Sequence, residues 1–124
     1  MLRYALVGCG RISGIHLDAV AHHYKDNKIK LVALCDIVEE KAINAKASYI
    51  SKTNDTEVNC YTSLDRMLDE EEIDVVAICT PSGLHPEHGI KAAQRGIHVL
   101  TEKPMGCAME DVENLIKACD ENNV

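Results

Sequence analysis

Apolar runs of strand length alternate with stretches of helical period along the chain. The apolar runs occupy residues 4–7, 29–35, 58–61, 74–79 and 97–100. The helical stretches occupy about 12–24, 38–52, 63–70, 86–95 and 109–122. Near-continuous apolar strands that alternate with helices are typical of a parallel sheet buried on both faces, because each right-handed crossover lays a helix over the sheet. The pattern predicts one α/β domain over residues 1–124, a doubly wound parallel sheet of five strands.

Composition narrows the function classes. Lys and Arg number 13 against 20 Asp and Glu, a formal charge of −7, and an acidic chain without a basic stripe is a poor nucleic-acid binder. No apolar run approaches the roughly 20 residues of a membrane span, so no membrane association is expected. The six cysteines form no C-x-x-C pair, which argues against zinc-ribbon and thioredoxin-like sites. Free thiols suit a reducing compartment, and we expect the cytoplasm.

A glycine-rich segment joins the first strand to the first helix. The sequence Gly8-x-Gly10-x-x-Ser13 stands where a Rossmann dinucleotide fingerprint belongs. Gly8 permits the tight turn, Gly10 lets the backbone approach a pyrophosphate, and amides near Arg11, Ile12 and Ser13 would face the anion. Ser13 occupies the third glycine position and has a hydroxyl to offer to a phosphate. The alternative is a glycine turn without a ligand.

An acidic residue closes the second strand. Asp36 lies 28 residues after Gly8, near the place of the carboxylate that accepts from the adenosine ribose hydroxyls. A carboxylate there repels a 2′-phosphate, so the sequence predicts NAD(H) rather than NADP(H). The alternative is a loop aspartate that caps the next helix.

Two later segments resemble one enzyme family. Cys79-Thr80-Pro81-Ser82-Gly83-Leu84-His85 and Gly96-Ile97-His98-Val99-Leu100-Thr101-Glu102-Lys103-Pro104 are similar to the glucose-fructose oxidoreductase, inositol dehydrogenase and rhizopine-catabolism (Gfo/Idh/MocA) oxidoreductases, whose signature is the Glu-Lys-Pro. The resemblance implies that residues 1–124 are the cofactor domain of an enzyme that normally has two domains, with the C-terminal substrate domain absent. Within the family, the loops look most like those of enzymes that oxidise the 3-hydroxyl of UDP-N-acetylglucosaminuronate (UDP-GlcNAcA).

The resemblance also implies roles for the Glu-Lys-Pro segment. Lys103 would lie beside the nicotinamide and the reacting carbinol, where a buried ammonium polarises the developing alkoxide or takes part in proton transfer. Glu102 would contact the ribose on the nicotinamide side, and its alternative is an ion pair with a neighbouring Lys. A cis peptide bond is expected before Pro104.

The same resemblance places Thr80 and Pro81 under the nicotinamide half and His85 at the cofactor ribose. His85 and His88 form an H-x-x-H, but no acidic or Cys ligand stands at supporting spacing, so no metal site is predicted. His16 on the first helix is expected to face the sheet as a packing residue.

Two alternatives stay open at this point. The substrate implied by the resemblance is a sugar or nucleotide sugar, but an inositol or a free hexose suits the same family. A nucleotide-sensing module without hydride chemistry would need the glycine loop and Asp36 but not Lys103. The chain alone is expected to bind NAD(H) without turnover, and the parent enzyme is expected to be a homo-oligomer.

Overall fold

The chain alternates strands and helices in the predicted order. The structure is a computed structural model that describes all of residues 1–124. Its strands are β1 (Leu2–Val7), β2 (Ile29–Cys35), β3 (Asn59–Tyr61), β4 (Val75–Ile78) and β5 (His98–Thr101). Its helices are α1 (Ser13–Tyr24), α2 (Glu39–Thr53), α3 (Leu64–Glu70), α4 (His85–Ala93) and α5 (Met109–Glu121), with a 3₁₀ turn at Ser82–Leu84. None of these helices combines the length and the apolar character that crossing a membrane requires.

The sheet confirms the predicted fold class. Its strand order is β3-β2-β1-β4-β5, and every neighbouring pair is parallel. The chain winds from β1 outward to β3, then crosses back to β4 on the other side of β1. Ligands of such sheets bind outside the carboxyl ends of the strands where the winding direction changes, so the segments after β1 and β4 mark the expected site.

Two apolar layers enclose the sheet, because successive strand side chains point to opposite faces. Tyr4 and Leu6 pack into one core with residues of α1 and α2. Ala5 and Val7 pack into the other core with residues of α3 and α4. This burial on both faces explains why the strands are apolar at nearly every position.

Element ends follow local chemistry. The Ser63 side chain accepts a hydrogen bond from the Arg66 amide and caps α3 as predicted. Gly96 adopts a φ of 71° just beyond α4, as a residue after a helix C-terminus commonly does. The pairing of β1 with β2 shifts register between Tyr4 and Ala5, an irregularity that no sequence signal predicted.

An ion pair joins the starts of β1 and β4. Asp74 accepts from the Arg3 backbone amide at 2.7 Å and from two guanidinium nitrogens at 3.0 and 2.8 Å. Hydrogen bonds from the Arg3 side chain, then from its backbone, lower the pKa of Asp74 to about 2. This charge-assisted contact fixes the register of the two strands at one end.

We expect Asp74→Asn to lower the free energy of unfolding by about 1 kcal/mol at neutral pH. The shift in the pKa of Asp74 corresponds to roughly twice that value through proton linkage, and solvent screening of this partly exposed pair reduces it. The folded-state pKa lies below the unfolded one, so this stability is present above about pH 4 and is lost as the pH falls towards 2. Urea unfolding at several pH values measures it. The exposed Asp120→Asn is the control. If the free energy of unfolding of Asp74→Asn and of the unaltered chain changed with pH in the same way, the stabilising role of the Arg3–Asp74 ion pair would be contradicted.

Candidate functional site

A cleft of about 510 Å³ opens at the carboxyl edge of the sheet. The ends of β1, β2 and β4 all contribute to its lining, including Gly8, Gly10, Asp36, Thr80 and Pro81. A second cavity of about 260 Å³ shares Thr80 and Pro81 and adds Glu102 and Lys103. The two cavities therefore adjoin at the loop after β4, near the point where the winding direction changes.

The two loop glycines answer different spatial demands. Gly8 has a φ of 90°, and a Cβ there would lie 2.5 Å from the Cys79 carbonyl carbon and 2.7 Å from the Thr80 nitrogen. Gly10 has no atom within 4 Å of the place a Cβ would take. Gly8 is therefore required by the fold itself, whereas a side chain at Gly10 would project into open space that a ligand can use.

The loop leaves backbone donors for an anion. The amides of Arg11 and Ile12 have no acceptor in the protein, as expected for an anion site at a helix N-terminus. The Ser13 amide donates to the Gly10 carbonyl at 3.2 Å, so its contact with an anion stays a prediction. The Ser13 hydroxyl also points to the Gly10 oxygen, at 2.5 Å, and the residue is buried. Ser13 thus closes the turn, and a contact of its hydroxyl with a phosphate, which would require this bond to break, stays a prediction.

Asp36 lies in the cleft and holds the loop as well. Its Oδ2 accepts from the Cys9 amide and its Oδ1 accepts from the Val38 amide, both at 2.8 Å. The Val38 amide lies before the first residue of α2, and no side-chain hydrogen bond caps that helix. These two bonds leave lone pairs on both oxygens for ligand hydroxyls.

The loop after β4 is held by two histidines. His88 Nδ1 lies 2.9 Å from Thr80 Oγ1, and burial lowers the pKa of His88. His85 is 2% exposed, with Nδ1 at 2.8 Å from the Pro104 carbonyl and Nε2 at 2.6 Å from the Thr80 carbonyl. The implied contact of His85 with a ribose stays a prediction that requires the ring to give up one of these bonds.

The Glu-Lys-Pro segment follows β5 at the rim of the second cavity. The Lys103–Pro104 peptide bond is cis, as expected. The implied role of Lys103 beside the nicotinamide stays a prediction, and in this structure the residue is exposed. The reason is its place on the loop beyond the last residue of β5, where no element of the described chain covers it. Lys103 contributes to the lining of this second cavity.

Glu102 pairs with a histidine rather than a lysine. Its Oε1 lies 2.6 Å from His16 Nε2. His16 is packed, as predicted, but its Nδ1 also lies 3.1 Å from the Tyr4 hydroxyl. Sequence reasoning missed this connection between Tyr4, His16 and Glu102, because no spacing rule joins residues so far apart in the chain.

The thiols in and beside the cleft are held in their protonated form. Burial raises the pKa of Cys9 and of Cys79 to about 12 and that of Cys35 to about 11. All six cysteines are free. Because the thiolate is the reactive form, these side chains serve the site by packing.

One cluster of metal-ligand types lies elsewhere. His22, His23 and Asp26 place ligand atoms within 4.8 Å of one another, at the end of α1 remote from the cleft. It takes no part in the chemistry of the cleft.

The fold and cleft define a dinucleotide-binding Rossmann domain. The chain belongs to the GFO_IDH_MocA oxidoreductase family, since the family model described as "Oxidoreductase family, NAD-binding Rossmann fold" matches residues 2–124. The residues present fit such a cofactor, with free amides at the loop, an open approach at Gly10 and a carboxylate at Asp36.

Relatives in this family act on different sugars and polyols. The WlbA dehydrogenase of Bordetella pertussis, crystallised with NADH and UDP-GlcNAcA, is 41% identical with a TM-score of 0.88 over 99% of this chain and 35% of its own. Myo-inositol 2-dehydrogenase of Lactobacillus plantarum is 31% identical with a TM-score of 0.80, over 98% of this chain and 33% of its own. D-glucoside 3-dehydrogenase of Escherichia coli is 30% identical over 96% of this chain and 31% of its own. The chain therefore spans about a third of the length of these relatives.

Proposed function

We propose that residues 1–124 form the NAD(H)-binding part of a dehydrogenase that oxidises a sugar hydroxyl. The observation that carries this proposal is a pair of cavities that share Thr80 and Pro81, one lined by the glycine loop and Asp36 and the other by Glu102 and Lys103. In this reading the Arg11 and Ile12 amides bind the pyrophosphate. Asp36 accepts from the adenosine ribose and disfavours a 2′-phosphate.

The remaining site residues act at the other end of the cleft. Bound NAD⁺ supplies the hydride acceptor. Thr80 and Pro81 support the nicotinamide half, and His85 fixes their loop through the Thr80 carbonyl. Glu102 accepts from the nearby ribose. The Lys103 ammonium stabilises the negative charge that develops on the reacting hydroxyl oxygen, or takes up its proton.

We propose a nucleotide sugar as substrate, oxidised at the 3-hydroxyl of UDP-GlcNAcA. The support is the 41% identity to the WlbA dehydrogenase, above the 31% to the myo-inositol enzyme. An inositol or a free hexose is the alternative, supported by the inositol and glucoside relatives. Most substrate contacts would come from a second domain, so we propose that the chain by itself binds cofactor without turnover. A homo-oligomeric parent enzyme in the cytoplasm completes the proposal, and the six free thiols fit that compartment.

Calorimetric titration with NAD⁺ and NADP⁺ tests the cofactor assignment. We expect NAD⁺ to bind more tightly, and Asp36→Ala to weaken NAD⁺ by about tenfold through lost charge-assisted hydrogen bonds. The same variant also loosens the loop, because Asp36 binds the Cys9 amide. Loosening alone would weaken both cofactors equally, whereas loss of repulsion raises NADP⁺ affinity relative to NAD⁺.

Asp26→Ala, an exposed aspartate at the other end of α1, is the control. A folded chain that binds neither cofactor would refute the cofactor assignment. An unchanged ratio of the two affinities in Asp36→Ala would refute the role of Asp36 in cofactor choice.

A further inference from the structure

Three polar side chains from separate parts of the fold form one chain of contacts. The hydroxyl of Tyr4 on β1 lies 3.1 Å from Nδ1 of His16 on α1. The other ring nitrogen of His16, Nε2, lies 2.6 Å from Oε1 of Glu102, which follows β5. The side chains of His16 and Glu102 are 14% and 26% exposed. The contacts therefore run from the interior of the sheet to the wall of the second cavity.

The direction of the protons follows from Tyr4. Burial raises the pKa of the Tyr4 phenol above its ordinary value, and the neighbouring Cys79 and Glu102 act in the same sense. The phenol therefore stays protonated, and its O–H group donates a hydrogen bond to His16 Nδ1. With Nδ1 as acceptor, a neutral ring has its proton on Nε2, which donates to Glu102. A phenol that stays protonated is no proton relay, so the contacts serve orientation.

Glu102 is held by one oxygen and keeps the other available. The His16 hydrogen bond is the largest cause that lowers the pKa of Glu102, so the side chain is ionised. Its Oε2 accepts only a long contact of 3.3 Å from the Lys103 amide. This second oxygen is free to accept from a ligand hydroxyl in the cavity that Glu102 lines.

We propose that His16, fixed by Tyr4, is a positioning residue that aims Glu102 at the ribose nearest the nicotinamide. This inference rests on the proposed function. A positioning role of His16 differs from a packing role in its consequences, because a packing role predicts equal effects on every ligand of the cleft. A positioning role predicts an effect only on ligands that carry the second ribose.

The test uses the 124-residue chain with three probes in calorimetry: NAD⁺, ADP-ribose and ADP. Only the first two contain a ribose beyond the pyrophosphate. We expect His16→Ala to weaken NAD⁺ and ADP-ribose about fivefold to tenfold and to leave ADP within about twofold. The loss is smaller than that of one whole charge-assisted hydrogen bond, because Glu102 itself is retained. His16→Gln should restore most of the affinity, since its amide nitrogen is able to donate to Glu102.

Further variants keep the result decisive. Tyr4→Phe removes only the hydroxyl and should weaken the same two ligands by about twofold to threefold; it carries the comparison if His16→Ala loses its fold by circular dichroism. On a Glu102→Ala background, His16→Ala should have no further effect. The exposed His22→Ala on the same helix is the control.

Equal losses for all three probes, or no loss for any, would overturn the positioning role. Additive losses in the double variant would also overturn it. A further outcome is that the unaltered chain binds ADP-ribose and NAD⁺ no more tightly than it binds ADP. In that outcome Glu102 makes no ribose contact, and the inference fails while the nucleotide site stands. If it binds none of the three, the proposed function fails, and this inference with it.

Discussion

Gly8→Ala is expected to lose about 3–5 kcal/mol of stability, the range reached by backbone strain combined with overpacking. The added Cβ would lie 2.5–2.7 Å from backbone atoms of Cys79 and Thr80, and the φ of 90° is one that L residues rarely adopt. Backbone atoms of β4 and its loop cannot rotate away as a side chain does. Chemical denaturation monitored by circular dichroism measures the loss.

Gly10→Ala is the matched control for this prediction. Its Cβ meets no protein atom within 4 Å, so we expect stability within about 1 kcal/mol of the unaltered chain. We expect its NAD⁺ affinity to fall at least tenfold, because the methyl group blocks close approach of the pyrophosphate to the backbone. A Gly8→Ala variant as stable as Gly10→Ala would contradict the structural account of the loop.

Lys103→Ala is expected to lower kcat by about 10²–10⁴-fold, the typical contribution of a group that transfers a proton or stabilises charge. The ammonium is exposed and unpaired at the rim of the second cavity, where a substrate hydroxyl would lie. The chain covers about a third of its relatives, so turnover is measured in a hybrid enzyme. This chain replaces the matching first part of the B. pertussis WlbA dehydrogenase, and NADH formation from UDP-GlcNAcA is followed by absorbance.

Lys117→Ala is the control for the hybrid, since Lys117 is an exposed lysine on α5. Equal activity of Lys103→Ala and Lys117→Ala would remove Lys103 from the chemistry. A hybrid that binds NAD⁺ without any turnover would favour a nucleotide-sensing module. A loss of kcat for Lys103→Ala alone supports the dehydrogenase. In a second hybrid, this chain replaces the matching first part of the L. plantarum myo-inositol enzyme. Its activity with myo-inositol, with and without Lys103→Ala, shows whether the same lysine acts on a polyol.

Features of the site that depend on the chain immediately around them could be predicted from sequence. Gly8, Gly10 and Asp36 each follow a strand whose apolar character sets its position, and all three lie in the cleft as expected. The Arg11 and Ile12 amides are free because a helix N-terminus leaves its first donors unpaired. The cis bond before Pro104 matched what the family resemblance implied.

Features that depend on which partner is near were predicted less well. The Ser13 hydroxyl turned inward to the Gly10 carbonyl, because a buried hydroxyl takes the nearest acceptor. The Lys103 ammonium is exposed because burial depends on what covers a loop. Glu102 found His16 instead of a lysine.

The sequence by itself determined the α/β class, the strand and helix order, and the loop at which a dinucleotide binds. These properties follow from hydrophobic period, glycine conformational freedom and helix ends, all of which act over a few neighbouring residues. Only the tertiary structure decided that His16 meets Glu102, 86 residues further along the chain. That meeting requires β1 and β4 to lie side by side and β5 to extend the sheet. Contacts of this kind depend on register and crossover geometry, which no local pattern of residues encodes.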